Sequence, residues 1–341
     1  MEASGPSADI VLSSRVRLAR NLRDFPFPPR LDAEGSREVV AAVAAALTAL
    51  NRSRERHFEL YRLADISALD RQVLVEKHLI SPLLAKNEGG AVILSDDEAV
   101  SIMVNEEDHL RIQCLVPGLQ LERAWEIADA VDNVLNEVLP FAFSERQGFL
   151  TTCPTNLGTG MRASVMMHLP GLVLSEQAGR VLDALAKVGV VVRGIYGEGT
   201  QAKGNLFQVS NQVTLGQTEQ EIVENLQSVA RQLIERERSA REMLYRQWRD
   251  HLEDRVCRAY GILMNARVIT SEEALKLLSD MRLGIDQKIL PHVSPQVFND
   301  LIVATRSGFL QKLAGQELSP AERDRRRAAL IRQRLQKAQV S

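Results

Sequence analysis

Residues 153–169, with the sequence CPTNLGTGMRASVMMHL, decide the fold class, because two glycines are followed directly by alternating apolar and polar side chains. Gly158 and Gly160 fit the G-x-G-x-x-A pattern of dinucleotide-binding proteins, but there the glycines must open a helix that follows a parallel strand. The alternation from Met161 to Leu169 is instead typical of a strand with one buried face. We therefore predict a strand after Gly160 and reject a dinucleotide-binding turn.

A second glycine pair, Gly197 and Gly199, fits the same pattern and is rejected too, because Lys203 and Gly204 soon afterwards signal a turn rather than a helix. The sequence also lacks the phosphate-binding loop of P-loop enzymes and the H-R-D and D-F-G elements of ordinary protein kinases. Any nucleotide must therefore bind through another architecture.

The same alternation recurs in residues 10–18 and 110–116, which we predict to be further strands. Helical spacing of apolar residues, bounded by glycine or proline, predicts helices over 36–51, 67–80, 121–138 and 175–187. Strands and helices do not alternate strictly. We therefore predict an α+β fold with an antiparallel or mixed sheet rather than a doubly wound parallel sheet.

The pattern changes near residue 218, after which the chain is charge-rich and almost entirely helical. Three helix starts in this part fit a capping box, in which Ser or Thr precedes Glu by three residues. They are Thr218 with Glu221, Thr270 with Glu273, and Ser319 with Glu322. We therefore expect a helical C-terminal part.

Composition argues against several classes of function. The 341 residues include 42 Lys and Arg against 44 Asp and Glu, and this balance predicts no bulk affinity for nucleic acid. The longest apolar run, residues 39–50, is too short to span a bilayer, and residues 1–9 do not resemble a secretory signal, so we expect a cytoplasmic protein. The isolated Cys114, Cys153 and Cys257 predict single thiols rather than disulfides or a zinc site.

Five arginines lie on or beside predicted strands, and the planar guanidinium suits phosphate oxygens. They are Arg15, Arg17, Arg111, Arg162 and Arg193. Each alone would more simply be solvent-facing or ion-paired. The segment 105–111, NEEDHLR, changes this view, because three consecutive carboxylates repel one another and indicate a bound cation or a function, with an acidic turn as the simpler alternative. In an extended chain Glu107, His109 and Arg111 would share one face.

The cysteines differ in their surroundings. Cys153 lies in a polar, glycine-rich turn whose free N–H groups would stabilise a thiolate. Cys114 lies in an apolar strand and is predicted to be a buried structural thiol. Cys153 is therefore the candidate for chemistry.

Four segments, taken together and in this order, resemble the phosphagen (guanidino) kinase family. They are 13–17 (SSRVR), 105–111 (NEEDHLR), 153–163 (CPTNLGTGMRA) and 193–198 (RGIYGE). The resemblance covers residues 9–235 and is strongest to the bacterial protein arginine kinase branch. It implies a glutamine-synthetase-like antiparallel sheet flanked by helices, with a phosphagen-kinase-type catalytic domain over residues 1–235 and a helical C-terminal domain over 236–341.

The resemblance also implies residue roles. Glu107 and Glu198 would hold the acceptor guanidinium and take its proton, and Cys153 matches the family's reactive cysteine. ATP would bring Mg²⁺ with it, with no metal ligand from the protein. The positions that would contact ATP are Ser13, Ser14, Arg15, Val16, Arg17, His78, Arg111, Arg162, Ala163, Ser164, Val165, Met166, Arg193, Gly194, Ile195, Tyr196, Gly197 and Glu198.

The chain departs from the family members that use free amino acids. Its first motif begins at Ser13, which leaves no room for the N-terminal helical domain that closes over a small substrate, and an open site suits a protein-borne arginine. The helical C-terminal part would dock substrates or a second subunit. Within it, segment 323–328 matches a pattern associated with allosteric binding of phosphoarginine. This pocket would comprise Arg323, Asp324, Arg325, Arg326, Arg327 and Ala328.

On a helix, Arg323 and Arg327 would be neighbours one turn apart and able to clamp a phosphate, with a solvated basic face as the simpler alternative. From the family resemblance we hypothesise an ATP-dependent protein arginine kinase that acts in the stress response and in protein quality control, marking proteins for degradation. A kinase of free arginine and a non-catalytic phosphoarginine-binding adaptor remain as alternatives.

The resemblance implies several partners besides substrate proteins. They are a zinc-binding activator protein, a heat-shock repressor and a Clp-type protease, together with a second copy of the chain in a homodimer or higher oligomer. Direct contacts with nucleic acid or with a membrane are not expected.

Overall fold

The structure is a computed structural model that describes residues 5–53, 55–187, 189–194 and 202–338. The strands are β1 (Val11–Arg20), β2 (Phe58–Arg62), β3 (Ala91–Ser95), β4 (Val100–Val104), β5 (Leu110–Pro117), β6 (Phe143–Ser144), β7 (Gly148–Phe149), β8 (Met161–His168), β9 (Val190–Gly194) and β10 (Leu206–Asn211). Eight of them form one sheet in the order β2-β3-β4-β5-β1-β8-β10-β9, while β6 and β7 pair separately. All of these pairs are antiparallel.

The helices divide between the two parts of the chain. Those of the first part are α1 (Ala33–Leu50), α2 (Ala68–Glu76), α3 (Leu121–Asn136), α4 (Pro170–Leu174) and α5 (Ala178–Ala186). Those of the second part are α6 (Glu219–Gln247), α7 (Arg249–Asn265), α8 (Ser271–Asp286), α9 (Gln296–Ala304), α10 (Ser307–Ala314) and α11 (Pro320–Lys337). Short 3₁₀ turns lie at Pro28–Arg30, Asn51–Ser53, Leu63–Asp65, Leu84–Lys86, Pro154–Asn156 and Lys203–Asn205.

The two faces of the sheet differ in chemistry. On the central strand β1, Val16 and Leu18 are buried in the main hydrophobic cluster, whereas Arg15 and Arg17 point to the other face. Helices α1, α3 and α6 cover the apolar face and contribute to that cluster. The α+β class with an antiparallel sheet is therefore confirmed, and its second face is left to polar side chains.

The predicted strands and the four early helices are present, with shifted ends. Helix α2 stops at Glu76 rather than at residue 80, because His78 adopts a left-handed backbone conformation with φ 62°. Glu176, with φ 58°, likewise separates α4 from α5, so the predicted helix over 175–187 begins only at Ala178. Within the described ranges no helix combines the length and the apolar character that a membrane span requires.

The helix starts of the C-terminal part follow the capping prediction. Thr218 and Ser319 each form the complete reciprocal box with the glutamate three residues later. Thr270 caps α8 by accepting a hydrogen bond from the Glu273 amide over 3.2 Å. Helix α6 runs without interruption through residues 235 and 236, where the domain boundary was predicted. A second hydrophobic cluster gathers apolar side chains of α7, α8, α9 and α11.

Candidate active site

All five predicted arginines line one cavity of about 420 Å³ on the polar face of the sheet. Strand register explains their convergence. Arg17 on β1 lies directly opposite Arg162 on β8, and Arg111 on β5 lies opposite Ala19 on β1. Because side chains two residues apart share a face, Arg15 joins Arg17 there. Arg193 reaches the same cavity from the edge strand β9.

Arg111 connects the arginines to the acidic segment. Its Nη1 donates to Glu106 over 2.8 Å and its Nη2 donates to Glu107 over 2.7 Å. The Glu106 side chain is only 3% exposed and also accepts a hydrogen bond from Ser81. The Glu107 side chain remains 36% exposed and lines the arginine cavity. Of these two carboxylates, Glu107 is therefore the one that an incoming substrate could reach.

His109 does not share the face of Glu107 and Arg111, and that prediction was wrong. Residues 105–109 form a turn, with φ 58° at Asn105 and a hydrogen bond from its amide to the His109 carbonyl, so the chain is not extended here. The His109 ring is buried on the other side, where Nδ1 accepts from the Leu22 amide and Nε2 lies 2.9 Å from the Pro26 carbonyl.

The third acidic residue, Asp108, is completely buried beneath the site. It accepts hydrogen bonds from Asn21 Nδ2 over 2.7 Å and from the Thr152 amide over 2.6 Å. Asp108 thus ties the acidic turn to the segment that carries Cys153. Glu106 and Glu107 share Arg111, whereas Asp108 has its own donors, so each of the three consecutive carboxylates is hydrogen-bonded.

The arginine cavity holds several like charges close together. Burial, together with the neighbouring Arg111 and Arg162, lowers the pKa of Arg15 to about 10. The same causes, with Arg15 added, lower the pKa of Arg17 well below its ordinary value, and burial and Arg193 lower that of Arg162. Among the described residues, the Nε atoms of Arg17 and Arg162 are buried without a hydrogen-bond partner. Such a cluster suits an anion with several oxygens, as in a polyphosphate.

Cys153 lines the same cavity, close to Glu107 and Arg162. Its Sγ lies 3.0 Å from Thr155 Oγ1 at the start of a 3₁₀ turn. Gly160, which ends this segment, has φ 65°, and a Cβ there would lie 2.6 Å from the Ala19 carbonyl oxygen. Cys114 is buried in β5 as predicted, and burial raises the pKa of its thiol to about 12.

Several predicted ATP-contacting residues point away from this face. The side chains of Val16, Ala163 and Val165 are wholly buried in the hydrophobic cluster, so they can approach a ligand only through their backbone. Ser14 is buried as well and uses its hydroxyl to bind the Gly118 carbonyl and the Gln120 amide. Alternate residues of a strand face opposite sides of the sheet, so at these four positions any contact with ATP is left to the backbone.

The remaining predicted positions lie on the polar face or outside the described residues. Ser13, Ser164, Met166 and His78 surround Arg15 in a small adjoining cavity. Gly194 is the last residue of β9. Ile195, Tyr196, Gly197 and Glu198 lie outside the described residues.

Two residues of this region were not predicted. Gln208 on β10 lines the cavity and accepts a hydrogen bond from Arg15 Nη2 over 2.9 Å. Its position between the apolar Phe207 and Val209 on a strand was the available signal. Arg306, from the C-terminal part, lines a second cavity beside the same arginines, and no motif pointed to it.

The C-terminal motif is organised differently from the predicted clamp. Arg327 is only 1% exposed and donates to the carbonyls of Thr305 and Ile269 over 2.9 Å each, while it pairs with Asp324. These bonds direct its guanidinium into the helical core, so a phosphate clamp shared with Arg323 is not formed. Arg323 is half-buried, and Arg325 and Arg326 are exposed. Ala328 is buried in the second hydrophobic cluster.

Comparison with known proteins gives matches over both parts of the chain. Residues 38–240 match the family described as ATP:guanido phosphotransferase, C-terminal catalytic domain, and residues 249–341 match the protein-arginine kinase McsB C-terminal domain. A protein-arginine kinase of Symbiobacterium thermophilum is 56% identical over 98% of this chain and 96% of its own length. That of Bacillus subtilis is 53% identical over 98% and 92%.

A solved structure is also similar to this chain. The crystal structure of lombricine kinase superposes with a TM-score of 0.59 at 25% identity, covering 70% of this chain and 69% of that one. The antiparallel fold and the arginine-lined cavity are consistent with these sequence matches, which extend over nearly the full length of the chain. The chain therefore belongs to the protein-arginine kinase family of ATP:guanido phosphotransferases.

Proposed function

We propose that the chain transfers the γ-phosphoryl group of ATP to the guanidinium of arginine side chains in proteins. The observation that carries this proposal is the convergence of five arginines, Glu107 and Cys153 on one cavity. The guanidiniums fit a polyphosphate, and the carboxylate fits a guanidinium acceptor. The match of the C-terminal part to a protein-arginine kinase domain favours a protein-borne acceptor.

The chemistry requires a carboxylate beside the acceptor. A guanidinium has a pKa above about 12 and is a poor nucleophile while protonated. Glu107 binds it and takes a proton as the nitrogen attacks, so that an N–P bond forms while the bond from Pγ to the β,γ-bridging oxygen breaks and ADP leaves. Glu198 would be the second carboxylate, by resemblance to the family.

The arginines supply electrostatic stabilisation. Charge spreads over the γ-phosphoryl oxygens during transfer, and Arg17 and Arg162 line the cavity in which these oxygens would lie. Mg²⁺ bound to the ATP phosphates would neutralise further charge. Cys153, near Glu107 and Arg162, would tune the electrostatics where the acceptor binds.

The C-terminal helices extend the proposal to regulation. We assign residues 1–235 to catalysis and 236–341 to substrate docking, oligomerisation and phosphoarginine binding, the last through Arg323 and Asp324. By family resemblance, a zinc-binding activator, a heat-shock repressor and a Clp-type protease would be partners in the cytoplasm, within a stress response that marks proteins for degradation.

The test is incubation of the purified chain with γ-labelled Mg·ATP and an arginine-rich unfolded protein. Acid-labile label that maps to arginine is the expected result, and the Glu107→Gln variant should incorporate none. Transfer to free arginine alone would replace the proposal with a free-arginine kinase. Tight phosphoarginine binding without ATP turnover would instead indicate a non-catalytic adaptor.

A further inference from the structure

Arg306 brings a charge from the C-terminal part to the arginine cluster. It lies between α9 and α10 and lines a cavity of about 300 Å³. Arg15, Arg17 and Arg111 line this cavity as well as the catalytic cavity, so the two spaces adjoin at the same three guanidiniums. Arg306 is thus a further arginine facing the cluster, although it is far from the others in sequence.

The position of Arg306 is fixed by the contact between α2 and α10. Glu76, at the end of α2, accepts hydrogen bonds from the Gly308 and Phe309 amides over 2.8 and 3.0 Å. The approach is close, because a Cβ at Gly308 would lie 2.9 Å from Glu76 Oε2. Arg306 precedes this first turn of α10, and its Nε donates to the Ile302 carbonyl. A second anchor joins Lys312 to Asp70 at 2.8 Å.

The cavity combines positive charge with an apolar wall. Both carboxylate oxygens of Glu76 accept hydrogen bonds from amides of α10, and Glu106 accepts hydrogen bonds from Arg111 and Ser81, so both acidic groups already have partners. The charge of Arg306 acts on the same space as that of Arg15, because burial together with these two arginines lowers the pKa of His78 to about 4. The apolar side of the cavity is formed by Val75, Ile80, Pro82 and Met103.

We propose that Arg306 binds the polyphosphate of ATP together with Arg15 and Arg17, so that the C-terminal helices supply part of the nucleotide site. The inference rests on the proposed use of ATP and adds a residue to it. An arginine that only packs between α2 and α10 is the alternative, and it would contribute to folding without discriminating between nucleotides.

The test compares nucleotide binding by full-length variants in equilibrium titrations with Mg·ATP and with AMP. Arg306→Gln should weaken ATP binding about tenfold, the usual effect of losing one charge-assisted contact to phosphate, and should weaken AMP binding less. The ATP affinity of Arg306→Lys should lie between that of Arg306→Gln and that of the native chain. Arg258→Gln is the matched control, because it removes an exposed arginine of α7 that lies outside the cavity, and it should bind ATP as the native chain does.

Two outcomes would overturn the inference. One is ATP affinity of a folded Arg306→Gln within about twofold of native, and the other is an equal loss of ATP and AMP binding. If Arg306→Gln does not fold, Arg306→Lys decides, since unchanged ATP affinity there also rejects the contact. Failure of the native chain to bind ATP would remove the proposed function itself, whereas native binding with an unaffected variant removes only the role of Arg306.

Discussion

Arg111 holds Glu107 through a hydrogen bond of 2.7 Å from Nη2 to Oε2. The carboxylate assigned to the acceptor arginine thus already binds a guanidinium that belongs to the phosphate-binding cluster. Arg111 fixes the position of Glu107 and also places a positive charge where a phosphate would arrive. An acceptor guanidinium would use the remaining lone pairs of Glu107, next to the site of transfer.

Replacing Glu107 with Gln should lower phosphoryl transfer by at least about a thousandfold, because the amide neither accepts the proton nor balances the acceptor charge. ATP affinity should change by less than about threefold, since the arginines remain. The measurement is the initial rate of acid-labile label incorporation, with ATP binding measured separately. Glu122→Gln, an exposed position on α3, is the control. Undiminished transfer by Glu107→Gln would remove this residue from the mechanism.

Arg17 should stabilise the complex with ATP and destabilise the protein without ATP. Its half-buried side chain is close to the charges of Arg15, Arg111 and Arg162, and its buried Nε has no hydrogen-bond partner among the described residues. Arg17→Met should therefore raise the melting temperature without ATP by about 2–4 °C, while weakening ATP binding at least about tenfold. Thermal unfolding with and without ATP checks both effects, with the exposed Arg231→Met as control. A lower melting temperature without ATP would show that Arg17 is structural.

The fold could be predicted from local patterns because they are strong where the sheet is central. Alternation in β1, β5 and β8 identified these strands and their polar face. Helix ends were less predictable, since positive φ at His78 and Glu176 is not encoded by glycine. The change in composition near residue 218 coincides with the start of α6 at Glu219, whereas the boundary between residues 235 and 236, implied by the family resemblance, falls inside that helix.

The site was predicted where side chains on neighbouring strands meet, and less well where turns or distant elements intervene. The arginine face follows from period-two alternation. His109 was misplaced because the turn at Asn105 reverses the chain. Arg306 reaches the cluster only through the packing of α10 on α2, and the inward direction of Arg327 depends on carbonyls of two other segments. Such contacts are set by tertiary structure.

His78 should make folding sensitive to mild acid. Its pKa is about 4 in the folded protein against an ordinary value of 6.5, chiefly because of burial. Between these values the unfolded chain takes up a proton that the folded chain does not, so stability falls as pH decreases from 6.5 towards 4. At pH 5 this loss is on the order of 2 kcal/mol.

His78→Gln should remove that part of the pH dependence. The free energy of unfolding, measured in urea at pH 7 and pH 5, should decrease less in the variant than in the native chain. His57→Gln, which replaces an exposed imidazole, should follow the native profile. Parallel curves for the native chain and His78→Gln would show that this ring is not protonated differently in the two states.

Arg327 and Arg323 should have separable roles in the C-terminal motif. Arg327→Ala leaves the Thr305 and Ile269 carbonyls and the Asp324 carboxylate without their buried partner, and should destabilise the protein by about 3 kcal/mol or more. Arg323→Ala removes a half-buried side chain and should change stability by less than about 0.5 kcal/mol, as should the exposed Arg326→Ala.

Urea unfolding and titration with phosphoarginine distinguish these roles. If Arg323 contacts the ligand, Arg323→Ala should bind phosphoarginine at least about tenfold more weakly while remaining as stable as the native chain. Arg326→Ala should retain both properties, because its side chain extends from the exposed face of α11. Normal phosphoarginine binding by Arg323→Ala would remove Arg323 from the ligand site. Normal stability of Arg327→Ala would show that the helical core does not depend on this arginine, which would then be available to the ligand.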